Sequence, residues 1–291
     1  MNEPQTLGVF LAQHPLYLYA LVTLLGLMVG SFLNVVILRL PRMLQREWTR
    51  DCRAHLELPE LEDEPRLTLA YPGSHCPGCE APIRPWQNIP VLSYLLLRGR
   101  CANCGISIGW RYPFTEAITG LASLAVAMVI PLGPDLFAAL ILTWCLIALA
   151  GIDIDTQLLP DNITLPLLWL GLLYNLFLGP VLLADAVIGA AAGYLLLWSV
   201  YWLFRLATGK EGMGFGDFKL LAALGAWLGW QSLPLIVLLS SVVGAVLGIA
   251  IIVLRGKDRS QPLPFGPYLA MAGWLTLLYG EPLARFIGIA P

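Results

Sequence analysis

The sequence predicts an all-α polytopic membrane protein, with about eight transmembrane helices and one small cytoplasmic, zinc-ribbon-like domain. Three observations carry that expectation. Hydrophobic residues make up 58% of the 291 positions, charged residues only 12%, and mean hydropathy is +0.74. Soluble domains hold roughly 25% charged residues. The 17 Lys and Arg against 19 Asp and Glu give a formal charge of -2. That balance excludes a strongly basic nucleic-acid binder, and the apolar content excludes a disordered chain.

A helix crosses about 30 Å of hydrocarbon with roughly 20 apolar residues at ~1.5 Å each. Runs of suitable length and composition fall at 16–38, 114–131, 136–152, 163–179, 182–204, 218–232, 233–254 and 267–287. The first reads as a permanent anchor, because residues 1–15 contain no Lys or Arg and no small-residue cleavage site follows the apolar stretch. The long polar interval after it divides the chain into 1–38, 39–113 and 114–291. Basic residues then set the orientation. Ten arginines lie in the interval, Arg205, Lys210 and Lys219 flank the connection between the fifth and sixth spans, and Arg255, Lys257 and Arg259 follow the seventh. Arg285 alone falls on the opposite side. By the positive-inside tendency the interval 39–113 is cytoplasmic and both termini face away from the cytoplasm.

That interval changes character along its length. Residues 47–66 carry Glu47, Asp51, Glu57, Glu60, Glu62, Asp63 and Glu64, and read as a solvated loop or surface helix. Beyond them stand Cys76-Pro77-Gly78-Cys79 and Cys101-Ala102-Asn103-Cys104, two C-x-x-C pairs separated by 21 residues. Each pair suits a tight knuckle, and two knuckles bring four thiolates to one tetrahedral metal with no open position. A structural Zn2+ on Cys76, Cys79, Cys101 and Cys104 is expected. Two disulfides are the alternative, but they require an oxidising compartment. Cys52 and Cys145 stand outside this pattern, and Cys145 in an apolar span reads as a packing residue. His75, next to Cys76, reads as a surface residue.

Acidic residues at a membrane are costly and mark function by default. Asp153, Asp155 and Asp161 lie in Gly151-Ile-Asp-Ile-Asp-Thr-Gln-Leu-Leu-Pro-Asp161, and Asp217 ends Gly214-Phe-Gly-Asp217. Both stretches fall at the cytoplasmic face. Asp161, after Pro160, reads as an N-cap or first-turn residue. Asp217 also precedes a helix, where the dipole favours an anion. Asp153 has no such account, since it ends a helix. Asp155 lies two residues on and points to another face, so one of the two should meet Asp217. Paired carboxyls suit peptide hydrolysis, because at close range one holds a proton while the other takes a proton from water. The glycines before Asp217 would let an extended substrate backbone approach. A proton-coupled transporter and a non-enzymatic scaffold are the other classes compatible with membrane carboxylates. A zinc protease is disfavoured by the four thiolates and by the absence of His-Glu-x-x-His.

The chain resembles the type IV prepilin peptidases, the bifunctional leader peptidase and N-methyltransferase family with a Gly-x-Gly-Asp motif. The likeness runs through Gly30-Ser-Phe-Leu-Asn34, Cys76-Pro-Gly-Cys79, Asn88-Ile-Pro90, Ser93-Tyr94, Arg98-Gly99-x-Cys101-x-x-Cys104 and Tyr112-Pro113-x-x-Glu116. It continues through Asp153 to Leu159-Pro160-Asp161, Gly214-x-Gly216-Asp217-x-Lys219 and Pro264-Phe-Gly-Pro267. The resemblance implies a bacterial inner-membrane aspartic endopeptidase with periplasmic termini. It removes the short basic leader of type IV prepilins and type II secretion pseudopilins. The family register, an Asp eight residues before the Asp of Leu-Pro-Asp, falls on Asp153, and the second catalytic Asp on Asp217. Methylation of the new N-terminus, usually Phe, by S-adenosylmethionine is implied in the same way, with Gly99, Arg98 and Arg100 as candidates for the methyl-transfer site. Glu116 would meet the cationic N-terminus or serve as a first-turn carboxylate. Asn34 reads as an interhelical hydrogen-bonding residue. Membrane lipid is an expected partner and nucleic acid is not.

Overall fold

The computed structural model describes residues 7–59, 66–255 and 264–288. Ten α-helices occur among them: α1 (Leu7–Gln13), α2 (Pro15–His55), α3 (Leu92–Leu96), α4 (Arg111–Val129), α5 (Pro134–Thr156), α6 (Asp161–Phe177), α7 (Leu183–Thr208), α8 (Phe215–Leu228), α9 (Leu233–Arg255) and α10 (Gly266–Ile287). The described residues form no β-strand, only isolated bridges between His75 and Pro82 and between Arg100 and Ser107. Each apolar run read from the sequence falls largely on one of the helices α2 and α4 to α10, but the run 218–232 outlasts α8 and ends in a 3-10 turn at Trp230–Ser232. Among the described residues, five stretches are long and apolar enough to cross a membrane: α2, α4, α5, α7 and Trp230–Leu247. Helices α6 and α8 are shorter, at 17 and 14 residues. At ~1.5 Å per residue, α8 reaches only about 21 Å.

The chain forms two compact units, Met1–Met128 and Val129–Pro291. In the first, α2 runs for 41 residues with Pro41 inside it, so the helix continues past the first apolar run and carries Glu47 and Asp51 on its exposed far end. The rest of the acidic stretch, 60–65, lies outside the described residues, as do Lys257 and Arg259. Helices α2 and α4 approach closely: a Cβ on Gly30 would come within 2.7 Å of the Glu116 Cα. Asn34 donates from Nδ2 to the Tyr112 carbonyl at 3.0 Å, which is the interhelical bond its position suggested.

The second unit is built around α8. Residues Asp217, Phe218 and 220–227 are buried, with Lys219 the partly open exception. A helix apolar on all sides belongs in a core. Helices α6, α7, α9 and α10 surround it, and Leu149, Leu167, Leu197, Phe218, Leu224 and Leu269 share one cluster. The packing with α7 is backbone to backbone, since a Cβ on Gly189 would strike the carbonyl of Gly225 and the converse also holds. Shielding by protein explains why so short a helix is stable here. A side chain also satisfies its end, where Asn175 Nδ2 donates to the Ala226 carbonyl at 2.9 Å and the Trp227 carbonyl at 3.1 Å, and in return Trp227 Nε1 donates to the Leu167 carbonyl of α6 at 2.8 Å.

Candidate active site and metal centre

Helix α5 ends at Thr156, where Gln157 in the left-handed region donates its N–H to the Asp153 carbonyl at 2.9 Å. Asp153 therefore sits in the last turn. Its side chain is buried, whereas Asp155 is exposed. Residues two apart on a helix face different ways, and burial distinguishes the two acids that the spacing left open. The N–H of Gly266, the first residue of α10, donates to Asp153 Oδ2 at 3.0 Å. A Cβ on Gly266 would stand 2.7 Å from that oxygen, so a side chain there competes with the carboxyl for space.

Asp217 is the third residue of α8, after Gly214 at the N-cap, and its N–H donates to the Gly214 carbonyl at 3.3 Å. The carboxyl is buried, and Oδ1 accepts no hydrogen bond from the described residues. Asp153 and Asp217 lie within electrostatic range of one another. The end of one helix and the start of another thus bring two carboxyls together inside the second unit.

Leu159 spaces this junction. Buried between the two helix starts, it would meet a Cβ on Gly216 at 2.7 Å and one on Gly266 at 3.1 Å. The Gly-x-Gly-Asp glycines therefore differ in their reasons. Gly216 is small because Leu159 packs on it, a correction to the expectation that both admit a substrate. Gly214 is open, with nothing nearer its Cβ position than 4.0 Å. Neither Gly266 nor Leu159 was assigned a role from the sequence, although both stand in stretches that carried the family likeness.

Asp161 opens α6 as a first-turn residue, as expected. Lys219 reaches it with Nζ 2.6 Å from Oδ1 and 2.8 Å from Oδ2, tying the start of α8 to the start of α6. In the sequence Lys219 stood out only as a basic residue flanking the connection between the fifth and sixth spans and as part of the Gly-x-Gly-Asp-x-Lys likeness. In the first unit Glu116 lies in the second turn of α4, beyond first-turn dipole range, and its Oε2 accepts the Val91 N–H at 2.7 Å.

The four sulfur atoms of Cys76, Cys79, Cys101 and Cys104 all lie within 4.8 Å of one another, a group that could hold a metal ion. Thiolates about 2.3 Å from a tetrahedral zinc stand about 3.8 Å apart, and Cys76 Sγ and Cys104 Sγ are separated by 3.7 Å. Both knuckles have the same construction. The N–H of Cys76 donates to the Ala81 carbonyl at 3.0 Å and that of Cys101 to the Ile106 carbonyl at 2.9 Å. The backbone turns sharply after each second cysteine, through Glu80 and Gly105 with positive φ. Backbone donors aim at sulfur, including Asn103 N–H to Cys101 Sγ at 3.4 Å. With N–H groups of Cys104 and Asn103 upon it, the Cys101 thiol is pulled down to about 6. The Ile106 N–H favours ionised Cys104, but burial and the neighbouring thiols outweigh it and hold that thiol at about 11. The donor set fits a cation. His75 lies outside it, with Nδ1 3.0 Å from the Gly73 carbonyl oxygen.

Gly99 has φ +66 and ends the α3 turn, with its N–H on the Tyr94 carbonyl at 2.9 Å and its carbonyl accepting from Ile108 at 2.7 Å. A Cβ there would meet the Tyr94 ring at 2.9 Å. These contacts explain the glycine by the turn alone. Arg98, also at positive φ, and Arg100 are exposed beside it.

Comparison with known proteins adds lineage to this geometry. Residues 24–130 match the Bacterial Peptidase A24 N-terminal domain, and residues 140–249 match the Type IV leader peptidase family. The chain is similar to a "Prepilin leader peptidase/N-methyltransferase" of Aeromonas salmonicida, 58% identical over 94% of both chains. Proteins of the same description in Pseudomonas aeruginosa and Xanthomonas campestris are 54% and 46% identical, covering 95% and 96% of this chain and 95% and 99% of theirs. No solved structure matches.

Proposed function

The chain belongs to the type IV leader peptidase family, and on that premise we propose that it cleaves the basic leader from prepilins and pseudopilins with Asp153 and Asp217, then methylates the exposed N-terminus. The observation that carries this reading is the convergence of two buried carboxyls, one held by the Gly266 N–H and the other with an unpartnered oxygen among the described residues. In the hydrolytic step, one carboxylate accepts a proton from water as the water oxygen attacks the scissile carbonyl. The other carboxyl, protonated, donates to the carbonyl oxygen on which charge develops. Collapse of the tetrahedral intermediate breaks the C–N bond, and the amine leaves with a proton from the carboxyl pair. Open space at Gly214 suits an extended backbone entering beside Asp217.

The domain roles follow the division 1–38, 39–113 and 114–291, with the cysteine centre in the second part and both aspartates in the third. Cys76, Cys79, Cys101 and Cys104 hold a structural Zn2+, a reading supported by sulfur spacing and by a donor set that leaves no open position. The distribution of basic residues supports an inner-membrane topology with periplasmic termini and the aspartates and thiolates at the cytoplasmic side. Exposed Glu47, Asp51 and Glu57 add a negative field for a basic leader. S-adenosylmethionine supplies the methyl group. Gly99, Arg98 and Arg100 are the candidate residues for its site, on family likeness and on their place beside Cys101.

Mass spectrometry of a prepilin incubated with the purified chain tests the proposal. Leader removal is expected with or without S-adenosylmethionine, and a methyl-sized mass gain only with it. An unchanged prepilin mass in the presence of folded protein rejects the peptidase reading.

A further inference from the structure

Helix α3 presents its apolar side chains outward. Leu92, Leu95 and Leu96 are 50%, 65% and 67% exposed, and Ile89 just before them is 45% exposed. Ser93, the polar residue of the same helix, is the one turned inward, at 9%. In water this is the reverse of what an amphipathic helix requires. The surroundings of α3 resolve the inversion. Its N-cap residue, Val91, donates to Glu116, five residues inside α4, and Glu116 lies against Gly30 of α2, nine residues before Arg39. At ~1.5 Å per residue, the Glu116 backbone is about 7 to 14 Å inside the first charged residues of both helices, and α3 starts on its carboxyl.

Backbone inside the membrane is tolerated when its polar groups are satisfied by protein, and the N–H groups at the reversal have such partners. Pro90 has no N–H, Val91 donates to the Glu116 carboxyl, Leu92 to the Pro90 carbonyl at 2.5 Å and Ser93 to the Ile89 carbonyl at 3.1 Å. Leu95 and Leu97 donate to the carbonyls of Val91 and Ser93. Val91 is a β-branched residue at φ +59, ψ -46, a strained conformation for its type. The short bond from Val91 to a buried carboxylate gives that conformation a reason, since the tight reversal turns the chain back toward the surface without leaving an N–H in hydrocarbon.

We propose that segment 89–97 is a re-entrant element in which Ile89, Leu92, Leu95 and Leu96 contact lipid acyl chains, with Glu116 as the residue that makes the reversal possible at that depth. Trp86, 47% exposed just before the segment, suits the headgroup boundary. The polar knuckle is thereby pinned to the bilayer at a third point besides α2 and α4. The proposal requires a membrane but neither of the catalytic activities.

Photocrosslinking in native membranes tests it. The full chain carrying p-benzoylphenylalanine at Leu92, Leu95 or Leu96, each exposed enough to accept the larger ring, is irradiated and its peptides are weighed. Phospholipid adducts are expected at all three positions and not at Glu80, an exposed residue of the knuckle. Adduct yields no higher than at Glu80 overturn the proposal. So do adducts confined to a prepilin, which would make this face a substrate-docking surface.

Discussion

Gly266 is the residue whose replacement should separate geometry from chemistry. A methyl group there would sit 2.7 Å from Asp153 Oδ2, where the backbone N–H now holds the carboxyl. Displacing a catalytic group by about 1 Å costs on the order of 100-fold in rate. Gly266→Ala should therefore lower kcat for leader cleavage by about that factor while the protein still purifies folded; an unchanged kcat would free Asp153 of its dependence on α10. Lys219 and Asp161 present the contrasting case. Their bond is short, but the side chains are 28% and 51% exposed, and pairs open to solvent are worth about 0–1 kcal/mol. Lys219→Ala and Asp161→Ala should each shift stability by less than about 1 kcal/mol, with a coupling of similar size in a double-mutant cycle. The thiols carry a pH dependence of definite sign. Cys101 ionises at about 6 and Cys104 at about 11, so at neutral pH the metal-free cluster still holds a proton that a cation must expel. Metal uptake should release protons, and affinity should fall as pH drops toward and below about 6, as read in a chelator competition series across pH.

Elements were legible in the sequence where a long apolar run marked them. The apolar run 16–38 predicted one anchor, yet α2 extends to His55, because Pro41 does not end it and the far side of the helix is free to be polar. Helix α8 was legible as an apolar run but not as the buried axis of its unit, since a 14-residue apolar run reads the same whether lipid or protein surrounds it. The knuckles were legible to the residue, because C-x-x-C spacing is set by covalent reach rather than by packing. Their removal should act locally. Stripping the metal with a chelator, or replacing Cys76 and Cys101 by Ser, should expose 71–109 to limited proteolysis first. Helices α5 and α8 should resist longer, because their burial does not involve the thiols. Glu116 was ambiguous in sequence for a physical reason: its partner is a backbone N–H 25 residues away that no periodicity announces. Glu116→Ala leaves that donor unmet and should cost about 1–3 kcal/mol. Glu116→Gln keeps an acceptor and should cost less, as thermal unfolding in detergent would report.

The molecule contains two kinds of arrangement, a cysteine centre formed by two hydrogen-bonded knuckles and a helical unit held by apolar packing around α8. The catalytic proposal belongs to the second. Spacing alone left Asp153 and Asp155 as alternatives, and only the folded chain buries one and exposes the other, because the two faces of α5 differ in what packs against them. Gly266 comes from the far end of the sequence, 113 residues from Asp153, so its contact depends on α10 returning to α5 and α8. The place of Asp217 at a helix start, by contrast, was readable from Gly-x-Gly-Asp before an apolar run, although the packing of Gly216 on Leu159 was not. Whether Asp153 and Asp217 act as one pair is read from leader cleavage in membranes bearing the wild-type chain, Asp153→Asn, Asp217→Asn or Asp155→Asn. Cleavage is expected with the wild type and with Asp155→Asn and with neither of the other two; cleavage by Asp153→Asn or Asp217→Asn equal to that of the wild type would mean that the two carboxyls are not the working pair.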